Sequence, residues 1–237
     1  MFYDRPNRLR RAVVVCSFLG ALAFTSHTQA AKLVDVQSGV DNGTGLLIPL
    51  GQFDDDWQMV STSDPNVTPL GPAYVLDAFH TVVGTTVFEW FDPEPGYRWI
   101  GPINGADLIP PDLLLGTFVY ETTFSVPPGA FGLTIGGVMM GDFDVTLLLN
   151  GQQIAFASTP DTAARTEHPF FSANQANFNI GGINTLTAVI ENGGFQTGFA
   201  INATVNIFEI PAPSAGLGGV FVTGLGIVLG RRRVRLC

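Results

Sequence analysis

From Ile201 to Ile207 apolar and polar side chains alternate without a break: Ile201, Ala203, Val205 and Ile207 fall on one side, Asn202, Thr204 and Asn206 on the other. A period of two marks a β-strand with one face in a core and the other in water. The same alternation places Phe118, Tyr120, Thr122 and Phe124 opposite Val119, Glu121, Thr123 and Ser125, and sets Leu186, Ala188 and Ile190 against Thr187 and Val189. Between Val145–Leu149 and Ile154–Phe156 stands Asn150-Gly151, a pair that readily takes the positive φ angles of a type I′ turn, so a hairpin is predicted there. Nothing between residues 31 and 210 sustains a helical period over ten residues. Strands at these intervals predict an all-β fold, a sandwich whose paired sheets bury alternate side chains.

A chain of 237 residues suits one domain with extensions. Its 28 Gly and 16 Pro, with only 13% charged residues, fit short strands punctuated by turns rather than disorder or a helical bundle. Residues 31–210 hold 19 acidic residues and 3 basic ones, Lys32, Arg98 and Arg165, for a formal charge of −16. Such a surface repels nucleic acid and anionic lipid, so a nucleic-acid partner is excluded from the expectation. Both cysteines, Cys16 and Cys237, lie outside this segment. It therefore has no disulfide, thiolate metal site or cysteine nucleophile, and must be stabilised by its core.

The remaining positive charge sits at the ends. Arg5, Arg8, Arg10 and Arg11 precede a largely apolar stretch, 12–24, and a polar run closing on Thr28-Gln29-Ala30-Ala31. This order predicts a secretory signal peptide over 1–30, helical in its apolar part, cleaved by signal peptidase after Ala30. At the other end, 212–230 carries no formal charge and is followed by Arg231, Arg232 and Arg233. As a helix it would span ~28 Å, enough to cross a bilayer, with the arginines held on the cytoplasmic side. The predicted organisation is thus leader 1–30, β-sandwich ectodomain 31–208, and C-terminal segment 209–237 with a transmembrane helix at 212–230 and an arginine-rich tail.

The stretch Ile210-Pro211-Ala212-Pro213-Ser214, the Gly-rich apolar run and the arginine cluster together resemble the PEP-CTERM sorting signal in its Pro-Ala-Pro-Ser variant, with Ala212 where the motif usually has an acidic residue. The resemblance implies processing by an exosortase-like enzyme and delivery to the cell surface or extracellular matrix. The ectodomain resembles the galactose-binding-like jelly roll through Gly39-Val40-Asp41, Asp56-Trp57, Arg98-Trp99-Ile100, Tyr120-Glu121-Thr122-Thr123-Phe124, Leu149-Asn150-Gly151, Gly182-Ile183-Asn184-Thr185-Leu186 and Asn192-Gly193-Gly194. A jelly-roll-like sandwich is what that resemblance implies.

Sugar binding needs an aromatic face and neighbouring polar groups. Trp90 and Tyr97, flanking Asp92 and Glu94 in a Pro-fixed loop, are the candidates; Trp57 and Trp99 are expected in the core, since tryptophan is highly buried on average. Calcium needs several convergent oxygens, which Asp54 and Asp56 within Asp54-Asp55-Asp56, Asp142 and Asp144, or the Asp41-Asn42-Gly43-Thr44 run could supply. No other cofactor is expected. There is no Gly-x-Ser-x-Gly elbow or His-Glu-x-x-His motif. A glycosidase needs only two opposed carboxylates, and Glu89, Glu94, Glu121 and Glu191 are available, but no motif selects a pair. The expectation is an exported structural surface or matrix protein rather than an enzyme, with a module binding extracellular polysaccharide as the alternative.

Overall fold

The computed structural model describes residues 29–68, 70–76, 79–82, 86–89, 96–103, 114–158, 166–193 and 197–209. The leader up to residue 28 and the sorting signal from Pro211 onward lie outside these residues. The strands are β1 (Gln29–Gln37), β2 (Val40–Asp41), β3 (Leu46–Leu47), β4 (Phe53–Thr62), β5 (Gly71–Leu76), β6 (Phe79–Val82), β7 (Thr86–Glu89), β8 (Trp99–Gly101), β9 (Gly116–Ser125), β10 (Phe131–Gly141), β11 (Asp144–Leu149), β12 (Gln152–Ala157), β13 (His168–Ser172), β14 (Ile183–Asn192) and β15 (Phe199–Glu209). A 3-10 turn, Gln175–Asn177, stands between β13 and β14. No helix among the described residues is long and apolar enough to cross a membrane.

The alternations read from sequence are realised side chain by side chain. Phe118, Tyr120, Thr122 and Phe124 are all buried on β9, as are Ile201, Ala203, Val205 and Ile207 on β15 and Leu186, Ala188 and Ile190 on β14. The hairpin forms where Asn150-Gly151 requires it, with φ of 51° and 79°, and Leu149 faces Gln152 across the turn.

Ten strands follow one another in the order β12-β11-β14-β9-β4-β5-β8-β15-β10-β13, with β1 added on β15 and separate two-stranded ladders β2-β3 and β6-β7. This ladder cannot lie flat. β4 and β15 are three strands apart in it, ~14 Å at the usual strand spacing, yet the rings of Trp57 and Phe199 meet at 5.4 Å. The 3-10 turn likewise touches both halves: Gln175 donates to the Leu133 carbonyl on β10 at 2.6 Å, and Asn150 beside β11 donates to the Asn177 carbonyl at 2.7 Å. The ladder therefore folds over at β4 and β5, where the register slips between Asp54 and Gln58, and its halves enclose one core. The molecule is an all-β sandwich. The helices expected to flank it fall in residues outside those described.

One core cluster holds residues from both layers, including Trp57, Phe118, Leu147 and Leu186 from one and Leu133, Ile135, Phe199 and Val205 from the other. A smaller cluster of Val40, Leu76, Tyr97, Trp99, Met140 and Ala200 packs apart from it. Trp57 and Trp99 are fully buried, as their size and apolarity led us to expect. β1 begins at Gln29, paired with Glu209. Cleavage after Ala30 would trim two residues and leave the strand starting at Ala31, opposite Ile207.

Candidate functional site

The short connection between β10 and β11 crosses from one layer to the other. Gly141 still faces Phe199 on β15, whereas Asp144 already faces Glu191 on β14. Only a compact residue fits at the start of this crossing, because a Cβ on Gly141 would stand 1.9 Å from Cγ2 of Val145. Asp142 anchors the crossing through its backbone N–H, which donates to the Gly198 carbonyl at 3.1 Å.

Here the strand ends leave an open cleft of roughly 680 Å³ lined by Gly116, Thr117, Phe143, Asp144, Ser158, Glu191, Asn192 and Gly193. Register explains the convergence: Asp144 faces Glu191, and Glu191 and Asn192 in turn face Thr117 and Gly116. Phe143 and Asp144 are half-buried and Glu191 is exposed. Asn192 is buried and donates to the Leu114 carbonyl at 2.6 Å, so its position is fixed. Gly193 lies against the Phe143 ring; a Cβ there would stand 3.1 Å from Cε1. Gly116, at φ 111°, leaves room for Ser63, whose hydroxyl would lie 2.1 Å from an added Cβ and accepts from the Thr117 N–H at 2.8 Å.

Beyond the cleft, the outward face of the same layer continues as a row in which Phe156 faces Thr146, Thr146 faces Val189, and Val189 faces Val119. Phe156 is 54% exposed. In the next outward row Thr187 donates to Glu121 Oε1 at 3.1 Å. The arrangement offers an aromatic ring, two carboxylates, an amide and hydroxyls around one space. That donor and acceptor set suits a polyhydroxylated ligand.

The residues singled out from sequence are dispersed. Tyr97 is 2% exposed, and its hydroxyl donates to Glu167 Oε1. Its ring packs with Trp99 and Leu76 in the smaller cluster, so as a sugar platform it is corrected to a core residue. Trp90, Asp92 and Glu94 lie outside the described residues. Asp54 is fully buried, and its carboxylate accepts from the backbone N–H groups of Gly39 at 2.6 Å, Asp56 at 3.1 Å and Trp57 at 3.2 Å. Burial nevertheless pushes its pKa up to about 6, outweighing those hydrogen bonds. Asp54 is thereby a structural hub joining β4 to the turn after β1. Asp56 accepts from the Asn42 N–H at 3.2 Å. The Asp41 carboxyl is held below its ordinary value by hydrogen bonds from the Gly43 N–H and then from Thr44, an Asx turn. Among the described residues no group of three or more His, Cys, Asp or Glu side chains converges on a metal position. Of the proposed calcium ligands, Asp144 belongs to the cleft instead. Phe143, Asn192 and Gly193 were not recognised as parts of a site, although the Asn192-Gly193-Gly194 run was visible in the sequence.

No protein-family model matches the chain, and no curated protein sequence matches it. Among solved structures, Ruminococcus gnavus beta-glucuronidase aligns over 40% of this chain and 20% of its own, at 14% identity and a TM-score of 0.27. A family 35 carbohydrate binding module from an environmental isolate aligns over 65% of this chain and 92% of its own, at 12% identity and a TM-score of 0.31. The xylan-binding module CBM15 aligns over 77% of this chain and all of its own, at 8% identity and a TM-score of 0.33. The chain spans only a fifth of the glucuronidase's length.

Proposed function

We propose that the sandwich is a polysaccharide-binding module, exported by its leader and delivered to the cell surface or extracellular matrix through its C-terminal sorting signal. The observation that carries the binding reading is the cleft, where Phe143 meets Asp144, Glu191 and Asn192 at the crossing between layers. A pyranose presents an apolar face and a rim of hydroxyls, which matches a half-exposed ring bordered by fixed oxygen and amide groups. The formal charge of −16 over residues 31–210 disfavours polyanionic chains and leaves neutral or amine-bearing polysaccharides as the substrate class. Signal peptidase, an exosortase-like enzyme and the membrane are the partners that this reading implies.

The test is affinity electrophoresis of the purified chain in gels containing neutral polysaccharides, beside Phe143→Ala and Glu191→Gln. Retardation of the wild type, with loss of roughly tenfold or more in affinity for each variant at unchanged melting temperature, is the expected result. If no polysaccharide or glycan array retains the wild type, the structural surface-protein reading takes its place.

A further inference from the structure

The end of the sandwich opposite the cleft has a different surface. Residues 126–130 join β9 to β10, and residues 179–182 lead into β14. The two turns touch: the Val126 N–H donates to the Gly182 carbonyl at 3.0 Å, and a Cβ on Gly181 would lie 3.5 Å from Pro128 Cα. Phe131 faces Phe208, near the end of β15. On this end Phe131, Ile180 and Ile183 are exposed to 36%, 48% and 66%, and Pro127 and Pro128 are exposed beside them. Neither turn contains a charged residue, in a segment that carries 19 acidic ones.

The chain leaves from this same end. β15 stops at Glu209, and the uncharged run 212–230 begins three residues later, a distance of at most ~11 Å in extended chain. We propose that, before the sorting signal is processed, this apolar end rests on the lipid headgroup boundary of the membrane that holds the 212–230 run, an inference that depends on that run being an anchor. So short a tether brings the end to the bilayer surface. Exposed isoleucine and phenylalanine side chains gain by entering the headgroup region, and turns without carboxylates meet anionic lipid without repulsion. The acidic remainder of the domain favours this orientation over any other. The cleft adjoins Gly141, ten residues along β10 from Phe131, so it would stand ~33 Å from the lipid, facing outward.

The full chain, with Cys16→Ser and Cys237→Ser, would carry a nitroxide at Ile183→Cys, at Ile180→Cys, or at Ser158→Cys beside the cleft, in vesicles of phosphatidylethanolamine and phosphatidylglycerol. Circular dichroism checks that each labelled chain is folded, and the two isoleucine positions serve as alternates. The expected result is flotation with the vesicles and an oxygen-to-nickel-chelate collision ratio on the order of threefold higher at 183 and 180 than at 158, the pattern of headgroup depth. Flotation with all three labels in water overturns the docking and leaves the anchor intact. Failure to float overturns both. Shielding at 183 that rises with protein concentration in the absence of vesicles assigns this end to a second copy and also overturns the proposal.

Discussion

The indole of Trp57 meets the ring of Phe199 edge-on, with centroids 5.4 Å apart and planes at 71°. Both rings are fully buried, and the indole N–H also donates to the Gln37 carbonyl at 3.2 Å. One side chain thus ties β4 to β15 and to β1, across the fold-over that makes two layers from one ladder. Trp57→Ala should cost about 3–5 kcal/mol, from lost burial and the cavity left behind. Trp57→Phe, which keeps a ring but not the donor, should cost less. Urea unfolding of the two variants checks this; a loss below ~1 kcal/mol for the alanine variant would show that the layers do not depend on this contact.

Tyr120 presents the opposite case. Its ring fills the core at full burial, and its hydroxyl has no hydrogen-bond partner. An unpaired buried hydroxyl costs about 1–3 kcal/mol. Tyr120→Phe removes the polar atom and keeps the ring, so the variant should be more stable by about 1 kcal/mol. A melting temperature lower than that of the wild type would contradict the assignment.

Asp54 makes stability depend on pH. Its carboxyl titrates at about 6 in the fold against 3.8 as the reference value. Between those values the native state binds more protons than the unfolded chain, so this group's contribution declines as pH rises from 4 to 6 and stays low above that. Asp54→Asn is uncharged and should remove that decline, while losing part of the hydrogen bonding to Gly39, Asp56 and Trp57. The measurement is the difference in urea midpoint between wild type and variant from pH 4 to 8. A difference that does not change with pH would exclude Asp54 as the titrating group.

How far the sequence could be read depended on whether the information was local. Asn150-Gly151 announced its turn because positive φ is a property of two adjacent residues. The turn is also held from a distance, since the Asn150 side chain donates to Asn184 Oδ1 at 2.8 Å and accepts from the Thr185 N–H at 2.9 Å. β9, β14 and β15 were legible because each keeps one face in the core for its whole length. β4 was not: its aspartates offered candidate calcium oxygens in Asp54 and Asp56, whereas Asp54 turns inward to hold three backbone N–H groups at the register slip. The Tyr97 assignment failed similarly, because a ring beside a Pro-rich loop gives no sign that a second cluster lies behind it. The cleft draws on strand ends separated by up to 77 residues in the chain, from Gly116 to Gly193, and only strand register brings them together.

Among the described residues β1 pairs with β15 alone, and this sets an order of events. If the chain is exported amino end first, as proposed above, β1 waits unpaired until β15 follows, because Gln37 needs Asn202 and Lys32 needs Asn206. Everything from β2 to β14 can assemble earlier, but the sheet closes only when the chain is almost through. Late closure would keep β1 open to other strands during such a passage, a hazard that a holdase in the receiving compartment would relieve. Loss of β1 would leave the flank of β15 that it covers permanently open, so a chain cut within β1 should be more prone to aggregation than one cut anywhere before it.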